Sequence, residues 1–316
     1  METKKLKIVF FGTPEFAVAS LENILNQGFE VAAVVTMPDK PAGRGHRLLQ
    51  SDVKKFALEK GLKVLQPVNL KSPEFIAELK EINADIFVVI AFRMLPEAVW
   101  AMPSLGTFNL HASLLPKYRG AAPINRAVMN GETETGVTTF FLKHEIDTGD
   151  IIEQRKIEIK PEDNAGTVHD RLMYIGAEMV CETLSKIQHG EVTPIPQPDG
   201  EHIPAPKIFK DTCKINWNQP AEKIHNQVRG LSPYPAAFTV VEDREGNTSE
   251  IKIFKTAIKK DSYDKSKEPG DLQLEKGKLF VTTGEGQIEI LELQPAGKKR
   301  MAADAYLRGN NPKKFM

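Results

Sequence analysis

Lys7-Ile-Val-Phe-Phe-Gly12, Pro14-Glu-Phe-Ala-Val-Ala-Ser-Leu-Glu-Asn-Ile-Leu-Asn26 and Phe29-Glu-Val-Ala-Ala-Val-Val35 follow one another with almost nothing between them. The first is a short apolar run closed by glycine, the pattern of a parallel strand buried on both faces. The second spaces its apolar residues at helical intervals behind a proline suited to a first turn, and Gly28 stops it. The third reads as another strand. The same alternation continues outward: helices over 52–60 and 72–80, and strands over 62–65, 85–90 and 106–111. Strands separated by helices of this length predict βαβ units, and so an α/β domain on a doubly wound, mostly parallel sheet.

Two further strands are predicted over 136–142 and 151–159, then an amphipathic helix over 166–188. Residues 190–207 hold five prolines and little periodicity, and read as an extended linker. Beyond a short helix at 221–228 the pattern changes to short strands at 237–241, 250–256, 278–282 and 287–293. Turn signals separate them, predicting a small β-barrel for which the oligonucleotide-binding type is a candidate. The expected organisation is a catalytic domain over 1–189, a Pro-rich linker over 190–208 and a C-terminal barrel over 209–316.

The length of 316 residues suits two domains. Lys and Arg number 42, as do Asp and Glu, which argues against an overtly cationic nucleic-acid binder. From Phe209 onward, however, 19 basic residues face 15 acidic ones. Two cysteines, Cys181 and Cys213, cannot supply a disulfide framework or a four-ligand zinc site, and the histidines lack metal-ligand spacing, so no metal is expected. No apolar stretch approaches the roughly 18 residues of a membrane span. The N-terminus shows no signal-peptide pattern, and a soluble, cytoplasmic protein is predicted. The first βα turn, Phe11-Gly-Thr-Pro-Glu-Phe16, has one glycine where a dinucleotide fold needs three, and no P-loop occurs, which argues against nicotinamide and ATP.

Ligands of such sheets bind beyond the carboxyl ends of the strands, which directs attention to the segments after Ile90 and around His111. There stands Asn109-Leu-His111-Ala-Ser-Leu-Leu-Pro-Lys-Tyr-Arg-Gly-Ala-Ala-Pro123. Asn109 and His111, two apart on a strand, share a face. Ile146-Asp147-Thr-Gly-Asp150 lies in a turn that could return a carboxylate to the histidine. Amide, imidazole and carboxylate together can bind a carbonyl, stabilise its developing oxyanion and move a proton. No covalent nucleophile accompanies them, since Ser113 lacks a GxSxG context, so direct amine attack on a bound acyl group fits better than an acyl-enzyme.

On these motifs the chain resembles the folate-dependent formyltransferases. Asn-x-His, Ser113-Leu-Leu-Pro116 and Asp147-Thr-Gly-Asp150 match the family pattern, with Phe11 to Ala17, Gln66-Pro-Val68, Gly136-Val-Thr138 and Gln294 to Lys299 in register. The resemblance implies a Rossmann-like first domain and formyl transfer from 10-formyltetrahydrofolate to the α-amino group of methionine esterified to initiator tRNA, a step of translation initiation. It implies that Asn109 and His111 hydrogen-bond the formyl oxygen and that Asp147 positions His111. The folate is expected along Ser113, Leu114, Leu115 and Pro116 and against Ile90, Ala91, Phe92, Arg93 and Met94, with His144 nearby. Arg93 departs from the glycine usual there.

The connection over 37–49 is long for a βα unit. By the resemblance it is the loop that engages the tRNA acceptor stem, through Lys40, Arg44 and Arg47, with Arg44 as wedge and Leu48 and Leu49 anchoring it to the core. Lys207, Lys210, Lys298, Lys299, Arg300 and Arg308 are expected to supply phosphate contacts. No obligate protein partner is evident. Two enzymatic alternatives share the same core: transfer to a nucleotide-linked amino sugar, and hydrolysis of the folate to formate. An RNA-binding scaffold is the non-enzymatic alternative.

Overall fold

The structure is a computed structural model in which residues 5–42, 47–198, 200, 202–259 and 266–316 are described. In chain order, its first part comprises β1 (Lys7–Gly12), α1 (Glu15–Asn26), β2 (Glu30–Val35), β3 (Lys40–Ala42), β4 (Arg47–Leu49), α2 (Asp52–Glu59), β5 (Val64–Leu65), α3 (Pro73–Ile82), β6 (Ile86–Ile90), α4 (Glu97–Trp100) and β7 (Thr107–His111). Then come β8 (Arg119–Gly120), α5 (Pro123–Met129), β9 (Glu134–Phe141), β10 (Ile151–Glu158), α6 (Ala165–His189), β11 (Pro204–Ala205), α7 (Lys210–Cys213) and α8 (Ala221–Leu231). The last part is β12 (Ala237–Asp243), β13 (Thr248–Lys259), β14 (Leu272–Glu275), β15 (Lys278–Thr282), β16 (Gln287–Pro295), β17 (Met301–Ala302), α9 (Ala303–Leu307) and β18 (Pro312–Phe315). The chain divides into two compact units, each discontinuous in sequence. One holds residues 1–120, 135–157 and 169–204, the other 121–134, 158–168 and 205–316.

The first unit is built on a sheet of order β10-β9-β7-β6-β1-β2-β5. Its five strands from β5 to β7 pair in parallel, and β9 joins β7 antiparallel. This is the doubly wound, mostly parallel sheet that the alternating periods predict. Val9 and Phe11, Ala33 and Val35, and Phe87 and Val89 point to one face, where Phe75, Leu79 and Ile82 of α3 cover them. Ile8 and Phe10 on the opposite face are equally buried, which is why β1 is an unbroken apolar run. The register sets Gly12 beside Ile90 and Ile90 beside Leu110, so β1, β6 and β7 end together at one edge. Residues 195–204, read from sequence as part of a linker, belong to this unit. Ile195 bridges to Ile151, and Ile203 O accepts the Tyr118 N–H at 2.6 Å.

In the second unit the sheet runs β14-β15-β16-β13-β12-β18, with β17 on β16. Its inner face alternates as an antiparallel sheet should: Ile251 and Ile253, Leu279 and Val281, Ile288 and Ile290 meet around Trp217 and Phe315. The Trp217 indole N–H, which cannot be buried unpaired, donates to Thr239 Oγ1 at 2.9 Å. The strand ends meet where Phe315 N donates to Gly270 O at 2.9 Å and Asp271 bridges Lys314, giving the near-barrel that the strand spacing predicts. The sequence reading missed β3 and β4, α4, β8, α5, β11, α7, β14, β17, α9 and β18. These are short segments, too brief for either period to declare itself. Among the described residues no helix is long and apolar enough to cross a membrane.

Gly270 closes this barrel for two reasons. Its φ is +92°, and a Cβ there would lie 2.1 Å from the Phe315 carbonyl oxygen. Gly270→Ala is expected to destabilise the protein by at least about 1–3 kcal/mol, the usual range for a residue forced into such backbone. A urea denaturation midpoint equal to that of the parent would contradict this account of the closure.

Candidate active site

The end of β7 carries the first part of the site. Phe108 and Leu110 point into the core, which leaves Asn109 and His111 on the opposite face, as their spacing predicts. His111 is buried and Asn109 half-buried. His111 Nε2 lies 2.8 Å from Tyr118 O. A carbonyl only accepts, so Nε2 carries a hydrogen and Nδ1 is the nitrogen left to gain or lose one. Nδ1 faces Asp147 Oδ2 across 3.8 Å, an ion-pair separation longer than a hydrogen bond. Asn109 Oδ1 is buried and, among the described residues, has no hydrogen-bond partner. Such an orphan acceptor is expensive in a folded core unless something else satisfies it.

Asp147 reaches His111 from a strained turn. Its φ is +55°, in the left-handed region, and its Oδ2 accepts the Gly120 N–H at 2.9 Å. Gly149 is required there, because a Cβ would lie 1.6 Å from the Phe141 carbonyl oxygen. Gln197 Nε2 donates to Asp147 O at 2.8 Å and to Gly149 O at 2.9 Å. Tyr118, Gly120 and Gln197 are thus neighbours that sequence reasoning did not single out. Tyr118 and Gly120 act through backbone atoms, which no residue type announces, and Gln197 sits in a stretch whose prolines spoke only of a linker.

The loop after His111 is pinned from beneath. Thr138 Oγ1 donates to Ser113 O at 2.7 Å and accepts from Leu115 N at 3.2 Å and from Gln154 Nε2 at 2.9 Å. Ser113 Oγ donates to Lys117 O at 2.7 Å. Ser113 and Leu115 are buried, while Leu114 and Pro116 are partly exposed. On the other side of the site Ile90 is buried and Ala91, at φ +46°, turns the chain outward. Phe92 packs edge-on against Phe11 with ring centroids 5.6 Å apart. Arg93 uses its fork on the backbone: one nitrogen donates to Val68 O at 3.0 Å and the other to Pro67 O. Burial pulls its pKa below the ordinary arginine value. Next to it opens a cavity of about 790 Å³, whose walls include Val68, Leu70, Lys71, Arg93, Met94, Trp100 and His144. Of the residues expected at the folate, Arg93, Met94 and His144 line this cavity.

Residues 43–46 lie outside the described residues, and with them Arg44. The connection around them is rooted by Asp39, which accepts from Lys54 at 2.6 Å and Gln66 at 2.8 Å. These bonds, that of Lys54 first, lower its pKa. Lys40 is exposed on β3, which pairs with β4 as a hairpin bringing Ala42 opposite Arg47. Leu48 and Leu49 do not anchor it to the core, contrary to expectation. They are 63% and 61% exposed, because both strands of the hairpin stand off the main sheet. In the second unit Lys207, Lys210, Lys298, Lys299 and Arg300 are exposed. Lys210 pairs with Glu250 at 3.2 Å, and Arg300 pairs with Glu292 and stacks over Phe254 at 4.5 Å. Among the described residues no group of three or more His, Cys, Asp or Glu side chains could hold a metal ion.

Residues 6–184 match the formyl transferase family, and residues 207–311 match the formyl transferase C-terminal domain. The chain belongs to the formyl transferase family. It is 52% identical over 314 residues to the methionyl-tRNA formyltransferase of Bacteroides fragilis, a match covering 98% of this chain and 96% of that one. Among solved structures it is similar to an N-formyltransferase from Helicobacter canadensis in complex with folinic acid and dTDP-3-aminofucose. That likeness has a TM-score of 0.65 and 23% identity over 90% of this chain and 98% of that one. It also superimposes on a variant of HypX from Aquifex aeolicus with a TM-score of 0.64 and 18% identity, covering 97% of this chain but only 48% of that longer one. Both likenesses are of fold.

Within this candidate site, Thr138 serves three polar atoms of the 113–115 loop and Gln154 with one hydroxyl. Thr138→Val would leave the buried Ser113 carbonyl and Leu115 N–H without it, and should destabilise the fold by about 1–3 kcal/mol. Equilibrium unfolding checks this; an unaltered free energy would mean that the loop is held by other bonds.

Proposed function

We propose that the protein transfers the formyl group of 10-formyltetrahydrofolate to the α-amino group of methionine esterified to initiator tRNA, in the cytoplasm, by direct amine attack. The observation that carries this reading is the convergence of Asn109, His111 and Asp147 at the carboxyl edge of the sheet, in a formyl transferase about half identical, end to end, to a methionyl-tRNA formyltransferase.

As the amine adds to the formyl carbon, negative charge develops on the formyl oxygen and a proton must leave the nitrogen. Asn109 serves both changes: its amide N–H2 is a donor for the oxygen, and its buried, unpartnered Oδ1 is an acceptor for an N–H. His111 moves the proton at Nδ1, because Tyr118 O occupies Nε2–H. The imidazolium so formed sits beside the Asp147 carboxylate, which orients it and stabilises its charge. The proton then passes to the departing folate nitrogen. An α-amino group titrates near pH 7.7–8.0, so the free amine is available close to neutrality. A covalent route is disfavoured by what surrounds the candidate nucleophiles. Burial pushes the Cys181 thiol up to about 12, and Ser113 Oγ is buried and spent on Lys117 O.

For the folate, the cavity between residues 68–71 and 93–98 offers apolar and aromatic walls of suitable size, with Lys71 and Arg93 for a carboxylate tail. Ser113 to Pro116 frame the reacting end. The tRNA would be engaged by Lys40, Arg44 and Arg47 of the 37–49 connection, and by Lys207, Lys210, Lys298, Lys299 and Arg300 of the second unit. Lys210 is 74% exposed and its partner Glu250 is 42% exposed. An ion pair that open to water is worth only about 0–1 kcal/mol, so a phosphate can replace the carboxylate at little loss.

Formyl transfer measured with initiator methionyl-tRNA, elongator methionyl-tRNA and free methionine tests the reading. Strong preference for the initiator species is expected. Turnover of the folate without that preference would transfer the protein to the amino-sugar or hydrolase branch. Asn109→Ala, His111→Ala and Asp147→Ala should each lose about 10²–10³ in rate with the fold intact, as for loss of a single oxyanion donor. Near-normal turnover in any of them removes that residue from the scheme.

A further inference from the structure

We propose that Gln197 is a positioning residue for formyl transfer, holding the Asp147 turn in its working geometry together with Arg119. The inference rests on the role given to Asp147 above, and extends it to a stretch of chain whose composition suggests only a tether.

Gln197 clamps the turn at two points. Its amide nitrogen donates to the carbonyl oxygens of Asp147, at 2.8 Å, and Gly149, at 2.9 Å. Its amide oxygen accepts from Arg119 Nε at 3.1 Å and from a terminal guanidinium nitrogen at 2.6 Å. Because arginine has only donors, the oxygen must face it, and both amide hydrogens are thereby committed to the turn. The residue after Arg119 is Gly120, whose N–H donates to Asp147 Oδ2. Main chain and side chain of Asp147 are therefore gripped from two directions by one connected set of groups.

The grip matters because the turn would not keep this shape unaided. Asp147 has a positive φ, a conformation that side-chain-bearing residues seldom hold without support. The segment bearing Gln197 is itself fixed: Ile195 and Ile151 exchange both backbone hydrogen bonds, at 2.8 and 2.9 Å. Farther along, Ile203 O takes the N–H of Tyr118, whose own carbonyl holds His111 Nε2. The stretch bearing Ile195, Gln197 and Ile203 thus steadies the partner of each ring nitrogen of His111. It sets the 3.8 Å separation between His111 and Asp147. Reacting groups displaced by about 1 Å lose on the order of 10²-fold in rate.

The test is steady-state formyl transfer by Gln197→Ala and Gln197→Glu, each alone and combined with Asp147→Asn, with the melting temperature of every variant. Gln197→Ala is expected to lower kcat about 10- to 100-fold while the KM values for folate and tRNA stay put. Gln197→Glu retains an acceptor for Arg119 yet has no hydrogen for the two carbonyls, so it should fold normally and still be slow. A residue that merely docked the segment on Arg119 would be rescued by glutamate. In the Asp147→Asn background, Gln197→Ala should change kcat little further, because the group it positions has already been replaced. Normal kcat in Gln197→Glu, or an undiminished loss in the Asp147→Asn background, overturns the proposal. Normal turnover by Asp147→Asn alone would instead overturn the role of Asp147 itself.

Discussion

Burial of both faces of the parallel sheet governs where chemistry can stand in this protein. β1 and β6 are apolar on both sides because helices cover both, so a polar side chain within them would have to be desolvated. Polar groups are therefore driven to the strand ends, where the register brings β1, β6 and β7 to a common edge. β7 is the exception that makes the site. It lies between β6 and the antiparallel β9, and its outer positions 109 and 111 carry an amide and an imidazole. The Asn109 oxygen is the unsatisfied remainder of that arrangement, a buried polar atom with no hydrogen-bond partner among the described residues.

Three residues with side chains adopt positive φ around this edge: Ala91 after β6, Tyr118 in the loop after β7, and Asp147 in the turn after β9. Ala91 turns the chain outward, whereas the other two turns aim a group inward. Tyr118 aims a carbonyl at His111, and Asp147 aims a carboxylate at the same ring. Such conformations persist only where surrounding structure over-determines them. Here the surroundings are specific: Thr138 and Gln154 beneath the 113–115 loop, Ile203 on Tyr118, and Gln197 on Asp147. Rigidity of this sort suits a reaction without a covalent intermediate, in which catalysis is mostly a matter of placing donors where charge will appear.

Much of this was legible in the sequence, for physical reasons that can be named. The run from Lys7 to Val35 declares a parallel sheet because burial on both faces leaves no room for polar alternation. The i, i+2 spacing of Asn109 and His111 declares a shared face because the strand period is two. The barrel strands declare themselves by the opposite sign, apolar residues alternating with polar ones between turns. What escaped had no periodic signature. β3 and β4 are strands of only three residues each, and the leucines of β4, read as anchors, stand in solvent. Arg93 looked like a departure from family pattern; its fork on the carbonyls of Pro67 and Val68 shows it bracing the wall of a cavity. Backbone acceptors such as Tyr118 O could not be read at all, since every residue has one.

The Pro-rich segment illustrates why composition misleads about rigidity. Proline removes backbone donors and fixes φ, so such a stretch cannot form a helix or a central strand, and by default it is read as a spacer. The same properties make it a good strap. A chain already held extended loses less conformational entropy on docking than a flexible one would. A few anchors then suffice: the bridge at Ile195, the side chain of Gln197 and the carbonyl of Ile203. A stretch that sequence presents as the space between two domains is, in this fold, bonded to the turn of Asp147 and to Tyr118, the two neighbours of the His111 ring.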